Sequence, residues 1–397
     1  MTPKQLTQEV YSELTENILP FWLNKMVDIE RGGFYGRIDG NNQLHADAEK
    51  GAILNARILW TFSAAYRVLG RPEYLEAATR AKDYIIKHFY DQEYGGTYWS
   101  LDCDGKPKDT KKQFYAIGFM IYGMSEYARA TKDKEALDYA IRLFECIEEH
   151  SLDVVYNGYV EAATREWGKI EDMRLSDFDA NFPKSQNTHL HIIEPYTNLF
   201  RIWKDTRLER ALRNLINIFT DKILNPETHH LDLFFENDWT RGAGHLESYG
   251  HDIECSWLMH EAALVLGDKE VLAKVEPIVQ LVAKASQKGR NSDGSMVHEA
   301  NVGTGHIDDD LHWWVQAEAV VGFYNVYQYF ADSSALEKSV RCWQYIKDNL
   351  IDNEHGEWYW SRHADGSLNT TDDKAGFWKC PYHNGRMCLE IIERNEV

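Results

Sequence analysis

Between residues 50 and 150 two kinds of helical pattern alternate along the chain. The stretch "KGAILNARILWTFSAAYRVLG" (50–70) is apolar or aromatic on almost every side, whereas "PEYLEAATRAKDYIIKHFYD" (72–91) keeps its charges on one face. The same contrast returns in "KQFYAIGFMIYGMSEYARATK" (112–132) and "KEALDYAIRLFECIEEH" (134–150). A helix that is hydrophobic all round is enclosed by others, and one with a charged stripe turns that side to water. Asp, Gly, Lys and Pro punctuate the short joins, as helix ends do. The pattern predicts helical hairpins, each with one inner and one outer helix.

Between the hairpins stand segments that resemble one another: "RGGFYGRIDG", "YGGTYWSLDCDG", "YNGYVEAATREW", "DGSMVHEAN" and "HGEWYWSRHADG". Aligned on Gly33, Gly96, Gly158, Gly294 and Gly356, they are 63, 62, 136 and 62 residues apart. The double interval hides a further unit at "HHLDLFFENDW" (229–239), which has the aromatics without the glycine. Several units end in Asp-Gly, a turn pair suited to a short hairpin. Six units nearly fill the 397 residues. They predict an all-α fold, an (α/α)6 barrel or toroid of twelve helices in six hairpins, with short β-hairpin loops at one mouth and a single domain over 1–397. The alternative is an open solenoid, which the lack of a polar capping unit at either end disfavours.

Composition narrows the partners. An apolar fraction of 44%, with 13 Trp, 22 Tyr and 16 Phe, supplies a large core and aromatic surface to spare. The net charge of −20, without any basic cluster, argues against nucleic acid and anionic membranes. The first residues lack the layout of a secretory signal, and no apolar run is long enough to span a bilayer. Cys103, Cys146, Cys255, Cys342, Cys380 and Cys388 form no CxxC pair, which fits reduced thiols better than disulfides or zinc. The expectation is a cytoplasmic protein, a monomer or weak homodimer, with no metal. No GxGxxG or GxxxxGK[ST] motif asks for a nucleotide.

The first turns of the inner helices would line one mouth of such a ring. They hold Arg57, Tyr115, His191, His251, Trp313 or Trp314, and His383, at intervals of 58 to 76 residues. A lone histidine at a helix start is more often structural, but recurrence at equivalent positions reads as a site. In "NTHLHIIEPY", His189 and His191 are two apart on a helix and so point to nearly opposite sides. His191 has Glu194 three residues on, and "HDIE" repeats this with His251 and Glu254. Each carboxylate is then placed to support its imidazole, which makes His191 the chemical candidate and His189 part of the wall. Glu194, Glu254 and Glu318 offer a glycosidase pair as an alternative, but each lies a turn or more behind a histidine or tryptophan. Three histidines and an arginine suit proton transfer beside a carbonyl better. Trp313, Trp314 and Trp378 suit a sugar ring, whereas Trp60 and Trp343 lie on helical faces and belong to the core.

The motifs "KGAILNARILW", "KSQNTHLHIIEPYTNLFRIW", "GHDIECSWL", "HWWVQAEA" and "FWKCPYHNGRMCLE" together resemble the N-acylglucosamine 2-epimerase superfamily over essentially the whole length. The resemblance implies a cofactor-independent sugar epimerase that inverts C2 of the reducing-end glucose in β-1,4 disaccharides such as cellobiose and lactose. It implies that His251 and His383 are an acid/base pair, His191 a third essential histidine, and Arg57 the group beside the reacting oxygens. Tyr115, Asn187, Glu254, Glu318, Trp313, Trp314 and Trp378 match positions that bind the sugar or brace the site. A mannose or N-acylglucosamine epimerase, or an aldose–ketose isomerase, is the alternative within the superfamily. A glycoside hydrolase or a sugar-binding toroid is the alternative outside it.

Overall fold

The computed structural model describes residues 1–177, 179–242 and 246–395. Among these, twelve helical runs carry the architecture. The first, α1, passes from Pro3–Ser12 through a π-helical segment Glu13–Ile18 into Leu19–Lys25. There follow α2 (Ala52–Leu69), α3 (Pro72–Tyr84), α4 (Phe114–Thr131), α5 (Lys134–His150), α6 (Gln186–Ile202) and α7 (Thr206–Ile218). The chain continues with α8 (Tyr249–Leu266), α9 (Lys269–Ala285), α10 (Trp313–Phe330), α11 (Ser333–Asn349) and α12 (His383–Asn395).

The even-numbered helices pack each against the next, and α12 returns to α2, so the inner ring is closed and the solenoid is excluded. Helices α3, α5, α7, α9 and α11 each back the inner helix before them, while α1 backs α12. The sixth pair is thus made by the two ends of the chain rather than by a consecutive hairpin. Burial follows the sequence pattern. Every residue of α2 from Ala52 to Ala65 is buried, whereas α5 buries only Ala136, Ala140, Leu143, Phe144 and Ile147. That is one stripe at the period of about 3.6 residues.

The joins away from the cavity are built alike. A left-handed residue ends the inner helix, at Gly70, Lys132, Gly267 and Ala331. An aspartate then caps the next, with Asp133, Asp205, Asp268 and Asp332 each accepting a first-turn N–H. The cap satisfies donors that the helix itself cannot.

At the mouth, the strand just before an inner helix pairs antiparallel with one about fifty residues later. Examples are Lys50 with Leu101, Lys112 with Ala163, Lys184 with Phe235, Ser248 with Glu299 and His312 with Ser361. Local hairpins occur within the strands at Ser100–Leu101/Pro107–Asp109 and Glu299–Asn301/His306–Asp308. Buried ion pairs latch the turns beneath them. Lys50 donates to Asp28 (2.8 Å) and the Gly32 carbonyl, Lys112 to Asp91 (2.9 Å) and the Gly95 carbonyl, and Lys184 to Asp153 (2.7 Å) and the Asn157 carbonyl. Lys374 pairs with Asp352 at the closing repeat. The repeat that lacks glycine keeps the turn by placing His229 at φ 62°.

Candidate active site

Six inner helices bring their first turns around one cavity of about 470 Å³ at the mouth. Arg57, Tyr115, Asn187, His191, His251, Glu254, Trp313, Trp314, Trp378 and His383 all line it. Glu318 does not. It is 1% exposed and lies behind His383, whose Nδ1–H donates to its Oε1 (2.6 Å), while Trp257 Nε1 donates to its Oε2 (2.9 Å). Of the two expectations for Glu318, binding the sugar or bracing the site, its position on α10, aimed at the neighbouring helices and bonded to His383, fits the second.

His191 is set by its own helix and by α4. Its Nδ1–H donates to Glu194 Oε2 (3.0 Å), leaving Nε2 for the cavity. Pro195 supplies no N–H to the His191 carbonyl four residues back, and α4 closes on that carbonyl. A Cβ on Gly118 would stand 2.3 Å from the oxygen, so only glycine fits there. His189 faces the wall, with Nδ1–H on the Ser185 carbonyl (2.6 Å) and Nε2 accepting from Tyr159 N (2.9 Å).

The parallel drawn between His191–Glu194 and His251–Glu254 fails at the second pair. His251 Nδ1 meets Ser248 Oγ at 2.8 Å, and Glu254 turns instead toward Arg386 and His383. The spacing permits the bond, but a buried guanidinium attracts the carboxylate more strongly than a neutral imidazole.

Arg386, one turn after His383 and fully buried, escaped the sequence reading. It donates to Glu194, to Glu254 Oε1 (2.7 Å) and to Glu318 Oε1 (2.6 Å), and thereby ties α6, α8 and α10 to α12. The hint was an arginine inside an otherwise enclosed helix. Burial pushes Glu318 up, but Arg386 and His383 outweigh it and hold it below the ordinary carboxylate range. Burial and the charge of Glu318 raise Glu254 well above that range, against the pull of Arg386. Burial raises Glu194 as well, against the pull of Arg386, so of the three carboxyls around this guanidinium only Glu318 is held down.

Burial lowers His191 strongly, and lowers His251 and His383 to about 3, with Glu318 opposing the shift at His383. In each ring burial favours the neutral imidazole. Arg57 donates from Nη2 to Tyr115 Oη (3.0 Å) and from Nη1 to the Trp378 carbonyl (3.3 Å), with its plane over Phe119 and Tyr382. Arg57 Nε, Asn187 Oδ1, Glu254 Oε2 and Trp313 Nε1 are buried without a hydrogen-bond partner among the described residues. Buried polar atoms are rarely left so, and a polar guest in the cavity is their natural partner. Trp313 is 3% exposed and lies tilted against Trp360, ring centroids 4.5 Å apart. Trp314 is half-buried and packs against both His251 (4.9 Å) and His383 (5.6 Å).

The mouth also contributes residues that no periodicity marked, among them Arg37, His298, His312 and Asp373. Among the described residues two groups have metal-like composition: His298, Asp308 and His312, and Glu254, Glu318 and His383. In the second, Arg386 and His383 already occupy the carboxylates. In the first, the two rings stack nearly parallel, 4.3 Å apart, so their in-plane lone pairs do not converge on one ion.

A profile of the family described as N-acylglucosamine 2-epimerase (GlcNAc 2-epimerase) matches residues 33–385. The chain belongs to the N-acylglucosamine 2-epimerase family. Among this epimerase family's members it is 64% identical to cellobiose 2-epimerase of Bacteroides fragilis, with 98% of each chain covered. It is 42% identical to cellobiose 2-epimerase of Ruminococcus albus, covering 98% of this chain and 99% of that one. The solved cellobiose 2-epimerase of Bacillus thermoamylovorans superposes with a TM-score of 0.93 at 42% identity, over 98% of this chain and all of that one. The epimerase is an isomerase by class, and among the described residues no helix is long and apolar enough to cross a membrane.

Proposed function

We propose that this protein is a disaccharide 2-epimerase, interconverting the reducing-end glucose of cellobiose or lactose with mannose, without a cofactor. The carrying observation is the set of three neutral imidazoles and one guanidinium around a cavity whose buried polar atoms lack partners. The similarity to cellobiose 2-epimerases supplies the substrate class.

The reaction begins with opening of the pyranose, one proton moving onto the ring oxygen and one leaving the anomeric hydroxyl. A base then removes the proton from C2, beside the new aldehyde, and a cis-enediolate forms. His251 and His383 are the exchanging pair. Glu318 behind His383 stabilises its imidazolium, while Ser248 behind His251 does not. One of the pair takes the proton from C2, the other, charged by the proton that leaves the anomeric hydroxyl, returns one to the opposite face, and the two exchange roles when the reaction reverses. The imidazolium, disfavoured in the empty site by burial, becomes favourable beside the anion. Arg57 faces the enediolate oxygens, and a positioned donor of this kind contributes about 3 kcal/mol. Glu254 Oε2, which has no partner among the described residues, is placed to hydrogen-bond a sugar hydroxyl, and Trp314 offers a flat apolar face to the ring.

Proton NMR of cellobiose with the enzyme in D2O tests the reading. Glucosyl-mannose with deuterium at C2 is expected. A ketose as the sole product, or glucose released by hydrolysis, overturns it.

A further inference from the structure

Before three of the inner helices the latches beneath the mouth follow one rule. In the repeats that start α2, α4 and α6, the residue two before the helix is a buried lysine, and the turn supplies the acid: Lys50 with Asp28, Lys112 with Asp91, Lys184 with Asp153. Before α8 the polarity is reversed. The equivalent strand position is Glu247, the turn begins with Asn225 instead of aspartate, and the turn's cation is His230.

His230 is 6% exposed and faces charge on each side. Its Nδ1–H donates to Asp252 Oδ2 at 2.6 Å, and Asp252 Oδ1 also accepts from the Leu231 backbone N–H. Its Nε2 lies 3.6 Å from Glu247 Oε1. Lys288, beyond α9, donates to the other oxygen of Glu247 (2.6 Å), and so does the Tyr249 hydroxyl (3.2 Å), the Tyr249 ring lying against His230. Burial works against the imidazolium here, but Asp252 and Glu247 outweigh it and hold the ring's pKa above its ordinary value. Asp252 adjoins His251, and Glu247 adjoins Ser248, which bonds His251.

We propose that His230 is a positioning residue for His251, clamping the first turn of α8 through Asp252 and Glu247 as long as it carries its proton. The other inner helices at this mouth that begin below a lysine are held by a charge that does not titrate near neutrality. The turn bearing His251 is held by one that does. The inference rests on the epimerase reading for its kinetic consequence, but not for its structural one.

Two experiments test it. The first needs no substrate. Amide hydrogen exchange of the full-length protein is followed at pH 6 and pH 9, with rates corrected for their intrinsic pH dependence. The amides of residues 253–256, which close the first turns of α8, lose at least tenfold in protection between the two pH values, whereas those of 118–121 in α4, below Lys112, do not. Equal changes in both segments overturn the proposal.

The second measures kcat and KM on cellobiose against pH. The alkaline fall in kcat of the wild type moves up by about 2 pH units or more in His230→Lys, which installs the cation of the other repeats. In His230→Gln the alkaline fall disappears and kcat on the plateau is at least tenfold lower with KM within twofold. Alkaline limbs that coincide in all three proteins overturn the proposal. A wild type that does not turn cellobiose over refutes the epimerase reading instead, and the exchange experiment then still decides the role of His230.

Discussion

Nδ1 of His383 and Oε1 of Glu318 lie 2.6 Å apart, although the residues are 65 positions apart in the chain. The bond fixes the tautomer that leaves His383 Nε2 for the cavity, and it stores a negative charge behind the imidazole. Glu318→Gln removes the charge and frees the ring to take the other tautomer. We expect kcat to fall roughly 10²- to 10⁴-fold, as when a carboxylate behind a catalytic histidine is lost. Deuterium entry at C2, read by NMR with circular dichroism as a check on folding, should fall in step. A variant with unchanged kcat would refute the role given to this pair.

His189 and His191 separate cleanly by experiment. His191→Asn should abolish turnover with a melting temperature near that of the wild type. His189→Asn leaves the Tyr159 N–H or the Ser185 carbonyl unpaired in the core, at a cost of about 1–3 kcal/mol, while the folded fraction keeps its activity. Thermal melts and specific activities of the two variants decide it, and a reversed outcome shows that the facing assignment is wrong.

Arg57→Lys keeps the charge but cannot reach both Tyr115 and the Trp378 carbonyl from one planar group. With the enediolate less well compensated, kcat/KM should drop on the order of 10²-fold. Epimerisation and solvent exchange at C2 should decline together, since both pass through the same anion. Loss of epimerisation with exchange intact would place Arg57 outside that step.

Glu13, in the π-helical segment of α1, accepts from Trp358 Nε1 (2.7 Å) and Asn17 Nδ2 (2.7 Å) but forms no ion pair among the described residues. Burial raises its pKa from 4.5 to about 7, with Glu357 adding to the shift. The folded state therefore binds this proton more tightly than the unfolded chain. The contribution is fully present below pH 4.5, declines as pH rises toward 7, and stays lost above it. Glu13→Gln should match the wild type in denaturant stability at pH 4 and exceed it at pH 8 by on the order of 2 kcal/mol. Equal stability at pH 8 would mean that the carboxylate is solvated after all.

The ring was legible because its evidence is periodic. Residues such as Ala52–Ala65 admit no polar face, and the turn motif returns at a nearly constant interval. Position within a repeat then indicated Arg57, His191, His251 and His383 as neighbours across the cavity. What the sequence could not reveal depends on competition between helices. The spacing of His251 and Glu254 offers a local bond, and only the presence of Arg386, 132 residues past Glu254, redirects the carboxylate. The bond between His383 and Glu318 likewise joins two helices 65 residues apart in sequence. Arg37, His298 and Asp373 come from loops, where no period says which way a side chain points.

The pairing of α1 with α12 makes the order of the repeats a matter of where the chain happens to be cut. α1 ends at the mouth and α12 begins there, so Pro3 and Asn395 belong to the opposite face, where the other pairs are joined by two or three residues. A chain reconnected through a short linker between these ends and opened at the Lys132–Asp133 join would present the same six first turns to the cavity. Its catalytic groups would then appear in a rotated order, with His383 and Arg386 ahead of Arg57, and the chemistry would be indifferent to the rearrangement.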